Sequence, residues 1–183
     1  MWLKLAKQIK PEIHSSSIIG LHVDYEVGKE LFECVKKIKN PETIDSYHIT
    51  LIYLGKIKDL ENKKDKILKV LENFASKNSY IKGKIDGYDC FEPSESSNNK
   101  IPLYAVYKSN NIIEIRNKLL EELKTIGVEN ASDFKDYKPH ITLKYLDNEK
   151  EIDQIKSPKI DCNFYKIGLF FGNSNYEYFF KQD

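Results

Sequence analysis

The sequence predicts an α+β fold of two pseudo-symmetric lobes, each an antiparallel sheet with helices packed outside. Three observations predict it. Short runs rich in β-branched and aromatic residues alternate with segments of helical apolar spacing. The order of elements in the first half of the chain recurs in the second. And one string appears twice, His48-Ile49-Thr50-Leu51-Ile52-Tyr53-Leu54 and His140-Ile141-Thr142-Leu143-Lys144-Tyr145-Leu146, with one difference in seven positions. A chain of 183 residues, 40% hydrophobic and 31% charged, suits a single bilobal domain spanning 1–183.

The elements follow in order. Ile18 to Tyr25 is an apolar run expected as a buried strand. Val27 to Ile38 places Val27, Leu31, Val35 and Ile38 at helical spacing, and Asn40-Pro41 ends it. Tyr47 to Leu54 is a strand closed by Gly55. Leu60 to Phe74 is a helix, with Ile67, Leu68, Leu71 and Phe74 on a lysine-rich background. Tyr80 to Phe91 is a strand, bulged near Gly87. Glu92 to Lys100 is polar throughout and is expected to be the most mobile loop. Ile101 to Tyr107 is a strand, Asn111 to Ile126 a helix stopped by Gly127, and Val128 to Lys138 irregular. His140 to Leu146 is a strand. Two more, Ile160 to Phe171 and Tyr176 to Phe180, close the chain around a Gly172-Asn173-Ser174-Asn175 turn.

Composition limits the function. With 29 basic against 28 acidic residues the net charge is +1, which disfavours a grip on long nucleic acid. Arg116 is the sole arginine, so a phosphate site here cannot use paired guanidinium forks. It must draw on His, Thr, Lys and backbone N–H groups. Cys34, Cys90 and Cys162 are odd in number and lack a CxxC, so neither a disulfide framework nor a zinc knuckle is expected, and a reducing cytoplasm is. The first ten residues lack the apolar run of a signal peptide, and nothing matches a membrane span of ~20 apolar residues. A soluble protein away from membranes, and a monomer, is expected.

The repeat carries the chemistry. The protein has four histidines and four threonines, and half of each fall in the twin strings. On a strand, residues i and i+2 share a face, so His48 and Thr50 look one way while Ile49 and Leu51 enter the core. The same holds for His140 and Thr142. Under an approximate two-fold the four side chains line one central cleft. Burying such polar pairs twice without a ligand would be costly. Two imidazoles and two hydroxyls suit cleavage of a phosphodiester. Histidine titrates near neutrality as acid or base, and threonine hydroxyls donate to nonbridging oxygens. No metal and no cofactor is called for. The four histidines also lack zinc-ligand spacing.

The paired His-x-Thr strings, each followed by a leucine and an aromatic, resemble the 2H phosphoesterase superfamily. Within it the chain is similar to the LigT-like, or 2′-5′ RNA ligase-like, branch of bacteria and their phages. The resemblance extends over GLHVDY (20–25), YHITLIYLG (47–55), PLYAVY (102–107) with its helix, YKPHITLKYL (137–146) and the closing hairpin. It implies His48 and His140 as the acid–base pair and Thr50 and Thr142 as phosphate clamps. It also implies a small nucleotide, a cyclic oligonucleotide or an RNA end as the substrate. Near-neutral charge favours a compact nucleotide, and the lysine- and asparagine-rich, phage-like composition points toward a cyclic defence signal. An RNA-end 2′,3′-cyclic phosphodiesterase and a non-catalytic nucleotide-binding module are the alternatives.

Further substrate contacts are expected from Lys144, which by strand parity joins His140 and Thr142. Three aromatics could stack a base: Tyr25, Tyr137 and Phe91. His14 and His22 fall outside the repeat; His22 could face the cleft, but a structural role is expected for it.

Overall fold

A computed structural model describes residues 16–129 and 136–182. The lead-in of the chain with His14, and part of the irregular stretch before the second motif, lie outside the described residues. The chain runs β1 (Ser16–His22), α1 (Tyr25–Val35), β2 (His48–Lys56), α2 (Lys64–Lys77), β3 (Gly83–Cys90), β4 (Ile101–Ser109), α3 (Ile112–Thr125), β5 (His140–Leu146), β6 (Lys159–Asp161), β7 (Lys166–Phe171) and β8 (Ser174–Phe179). Two four-stranded antiparallel sheets result, ordered β2-β1-β7-β8 and β5-β4-β3-β6. The orders correspond: β1-α1-β2 in one lobe matches β4-α3-β5 in the other. Each motif strand is therefore the edge of its sheet, and the two edges lie against each other.

Each helix forms because one stripe of its surface is apolar. Leu31 and Val35 of α1, Ile67, Leu71 and Phe74 of α2, and Ile112, Ile115, Leu119 and Leu123 of α3 are all buried. Gly28 lets α1 approach closely, since a Cβ there would sit 2.7 Å from the Ile44 side chain. The helices also cross between repeats. α1 runs beside β5 and β6, and α3 beside β2.

An edge strand leaves backbone groups without ladder partners, and here side chains meet them. Arg116 on α3 is buried and its Nε donates to the Leu51 carbonyl at 3.0 Å. The Tyr137 hydroxyl donates to the Thr50 carbonyl at 2.9 Å. On the other edge, the Glu42 N–H donates to the Leu143 carbonyl at 2.9 Å. The Arg116 guanidinium lies over the Tyr137 ring, 4.6 Å from its centroid. The sole arginine thus joins the lobes.

Two expectations are corrected. The run Ile160 to Phe171 is two strands in two sheets: β6 completes one lobe and β7 the other. The passage between them is pinned by Phe164, buried and bonded in both directions to Ile81 at 2.9 and 3.0 Å. Alternating burial looks the same in one strand or two, which is why the break does not show in sequence. The closing turn is two residues, Gly172-Asn173, since Phe171 pairs directly with Ser174. The polar loop 92–100 is wound into a 3-10 turn, Glu95–Ser97, whose ends are held by reciprocal Ser94 and Ser97 bonds. The bulge near Gly87 is present, with register shifting between Ile85 and Tyr88 and Gly87 at φ +91°. No helix among the described residues is long and apolar enough to cross a membrane.

Candidate active site

The site is built on the start of two strands. His48 opens β2 and His140 opens β5. In each motif the imidazole Nδ1 lies 2.7 Å from the carbonyl two residues earlier, Ser46 for His48 and Lys138 for His140. A carbonyl can only accept, so both Nδ1 atoms carry hydrogen and both Nε2 atoms are left for chemistry. The same lock on both histidines is the sharpest expression of the internal symmetry. Burial holds both below the ordinary histidine value of 6.5, opposed by the bond to the carbonyl. At His48 the neighbouring His22 and His140 lower it further.

Thr50 and Thr142 share the half-buried face of their histidines, with Ile49, Leu51, Ile141 and Leu143 buried behind them. Each imidazole rests on an aromatic wall. The His48 ring packs on Phe170 of β7 at 5.6 Å between centroids. The His140 ring meets Phe91 edge-on at 4.9 Å and Tyr104 at 5.1 Å, and those two stack at 4.1 Å. Across the ladders Thr50 faces Gly20 and Thr142 faces Tyr104. A Cβ on Gly20 would come within 3.2 Å of the Phe170 ring, so Phe170 leans over the glycine into the space that Tyr104 fills in the other lobe.

Of the additional residues expected here, Phe91 is at the site and three are not. Lys144 is the clearest correction. The register of β4 and β5 shifts between Leu103 and Tyr104, so that Thr142 faces Tyr104 and Lys144 faces Leu103. The bulge at Leu143 breaks the i, i+2 parity and turns Lys144 inward, 6% exposed, with Nζ 3.6 Å from Glu151 Oε2. A matching bulge buries Ile52 in the first motif. Tyr137 has its hydroxyl on the Thr50 carbonyl and one ring face under Arg116, so it braces the strand. Tyr25 stands exposed at the start of α1, on a cavity lined by His22 and by none of the four motif histidines and threonines.

Two residues at the site have no signal in the sequence, and a third, His22, could be read there either as facing the cleft or as structural. Tyr104 and Phe170 come from strands whose pairing the sequence does not specify. His22 sits directly across the ladder from His48, where the second lobe has Val106 opposite His140. Its position in GLHVDY, with polar parity to Gly20, was the available signal. Cys34, Cys90 and Cys162 are unpaired thiols, and burial pushes Cys162 up to about 12. Among the described residues no three His, Cys, Asp or Glu side chains are grouped to hold a metal.

Residues 45–162, which contain both motifs and well over half of the chain, match the profile of the 2'-5' RNA ligase superfamily. The chain belongs to that superfamily. As a member of it, which is also the 2H phosphoesterase superfamily, the protein is an enzyme of phosphodiester chemistry. Solved structures share the superfamily fold over 92% of this chain. TT0787 of Thermus thermophilus is 16% identical, with 99% of its chain covered and a TM-score of 0.71. LigT of E. coli in apo form is 17% identical over 98% of its chain at 0.60, and its complex with 3'-AMP is also known. Usb1 of Kluyveromyces marxianus with uridine monophosphate is 9% identical over its full length at 0.52. No curated protein matches the chain significantly in sequence.

Proposed function

We propose that this superfamily member is a metal-independent phosphodiesterase acting on a small nucleotide. Its bond is a 2′,3′-cyclic phosphate or a 2′,5′ or 3′,5′ linkage, including those of a cyclic oligonucleotide signal of the kind a phage would remove. The observation that carries the reading is the identical Nδ1 lock on His48 and His140, which leaves the Nε2 atoms for chemistry on two histidines of facing strands, near enough for His140 to lower the His48 value. One side chain takes a proton and the other gives one. The balanced surface charge supports a compact substrate, and LigT with 3'-AMP and Usb1 with uridine monophosphate show such nucleotides on related folds. The match to the 2'-5' RNA ligase superfamily favours the second reading, a cyclic phosphate at an RNA end.

In water attack on a cyclic phosphate, the Nε2 of neutral His48 removes a proton from the water. The new P–O bond forms as the bond to the leaving ribose oxygen breaks, and the imidazolium of His140 protonates that oxygen. Thr50 and Thr142 donate to the nonbridging oxygens as charge develops there. His48 is assigned as the base because His22 lies beside it and opposes its protonation. Transesterification would exchange the two roles.

The test is incubation, with EDTA present, with cyclic dinucleotides, cyclic trinucleotides and an RNA oligomer ending in a 2′,3′-cyclic phosphate, products being followed by mass. Cleavage lost in both His48→Ala and His140→Ala is expected, and the substrate consumed fastest distinguishes the two readings. Nucleotide binding without turnover, unchanged by either substitution, would make the protein a binding module.

A further inference from the structure

Around His22, at the end of β1 and the start of α1, lies a cavity of about 440 Å³, a size suited to a small ligand. His22 lines it. His22 also pairs with His48 across the ladder, and Phe170 lies near both rings, at 6.5 and 5.6 Å. The cavity therefore adjoins the proposed reaction centre.

Its rim is aromatic. Five large apolar side chains stand exposed among the described residues, and three of them, Tyr25 (57%), Tyr165 (50%) and Phe179 (61%), border this opening. Exposed aromatic surface gathered at one concavity marks a binding site more than a random surface. Two of these rings are held in place. Tyr165 stacks on Tyr80 at 4.8 Å, and Phe179 lies under the Lys166 ammonium at 4.8 Å from its centroid.

Its charge excludes phosphate as the occupant. Asp24, Asp45 and Glu177 line the cavity against Lys166, and Lys166 already pairs with Glu177 at 3.3 Å. Two carboxylates therefore remain. Asp24 accepts the Tyr25 N–H as the cap of α1, while the exposed Asp45 holds His22 through its backbone carbonyl, which leaves its carboxylate for a ligand. The equivalent place in the other lobe, at the end of β4 and the start of α3, is lined by Lys82, Lys84 and Lys108 against Asp161. The pseudo-symmetry thus yields two hollows of opposite sign.

We propose that the aromatic, acidic hollow is a nucleobase pocket for the substrate of the reaction proposed above, on which this inference rests. Tyr165 and Phe179 stack the base, and Asp45 accepts from an exocyclic amino group, favouring adenine, cytosine or guanine over uracil.

Titration calorimetry of the intact protein with adenosine 3′-monophosphate and uridine 3′-monophosphate tests it without requiring turnover. Wild type should bind the adenosine ligand more tightly. Tyr165→Ala and Phe179→Ala, both at exposed positions, should each weaken it by at least about five-fold, the lower end for loss of one stacked base. Asp45→Asn should narrow the preference between the two ligands. Unchanged binding in both aromatic variants, retained preference in Asp45→Asn, or no binding by wild type would overturn the pocket. Base-selective binding without cleavage of any cyclic phosphate would instead overturn the phosphodiesterase reading alone.

Discussion

At the scale of single residues, the two histidines are alike in their backbone lock and unlike in their neighbours. His22 faces His48, and nothing titratable faces His140 across its ladder. Both are held below 6.5, so at pH 7 both are mostly neutral and the protonated acid is the scarce form. The kcat/KM profile, which reports the free enzyme, should therefore peak on the acid side of 6.5. Replacing His22 by Ala removes the neighbouring imidazole whose electrostatic influence lowers the His48 value. His48 then binds its proton more readily, and the acid limb of the profile should move to higher pH. A limb that stays in place would show that His22 does not act on the base. The motif residues were legible because their i, i+2 spacing on a strand is fixed by backbone geometry. Lys144 was misread by the same rule, since a bulge at Leu143 has no signature in sequence and inverts everything after it. Tyr104 and Phe170 were out of reach because their place depends on which strands become neighbours.

At the scale of elements, the facing edges β2 and β5 set the distance between the two half-sites. Arg116 and Tyr137 hold β2 by the carbonyls of Leu51 and Thr50, three and two residues after His48. These are positioning residues, and they should show it in kinetics. Arg116→Lys keeps the charge and loses the planar donor, so kcat should fall by roughly ten- to a hundred-fold through misplacement of the reacting groups. KM should change much less, and Tyr137→Phe should lose about 1 kcal/mol of stability for one hydrogen bond. Equal changes in kcat and KM, or none, would remove this role. Most elements were legible from apolar periodicity, and the bulge from a glycine, Gly87, inside a strand run. The division of Ile160 to Phe171 was not, because Ile160, Cys162 and Phe164 continue the alternation through the crossing.

At the scale of the whole molecule, the two lobes share their stability with their chemistry. A histidine whose proton is held more weakly in the folded protein than in the unfolded chain favours unfolding once it is protonated. That contribution is fully present above 6.5 and is lost as pH falls from there toward the lowered folded values. The melting temperature should therefore drop between pH 7.5 and about 5, and the drop should be smaller in a His48→Asn, His140→Asn double variant. An unchanged drop would place its origin in other groups. The bilobal plan itself was legible in the repeated string and the recurring order of elements. The pairing of lobes through crossed helices was not, since it depends on contacts between distant segments.

The strand order has one more consequence. The second sheet is continuous in sequence, from β3 to β6, whereas the first is divided, with β1 and β2 at one end of the chain and β7 and β8 at the other. During synthesis the histidine that emerges first is the one whose sheet is finished last. Until residue 171 has left the ribosome, β1 lacks its second neighbour and Phe170 cannot support His48, so the nascent chain holds one assembled half of the proposed acid–base pair while the other awaits the final hairpin.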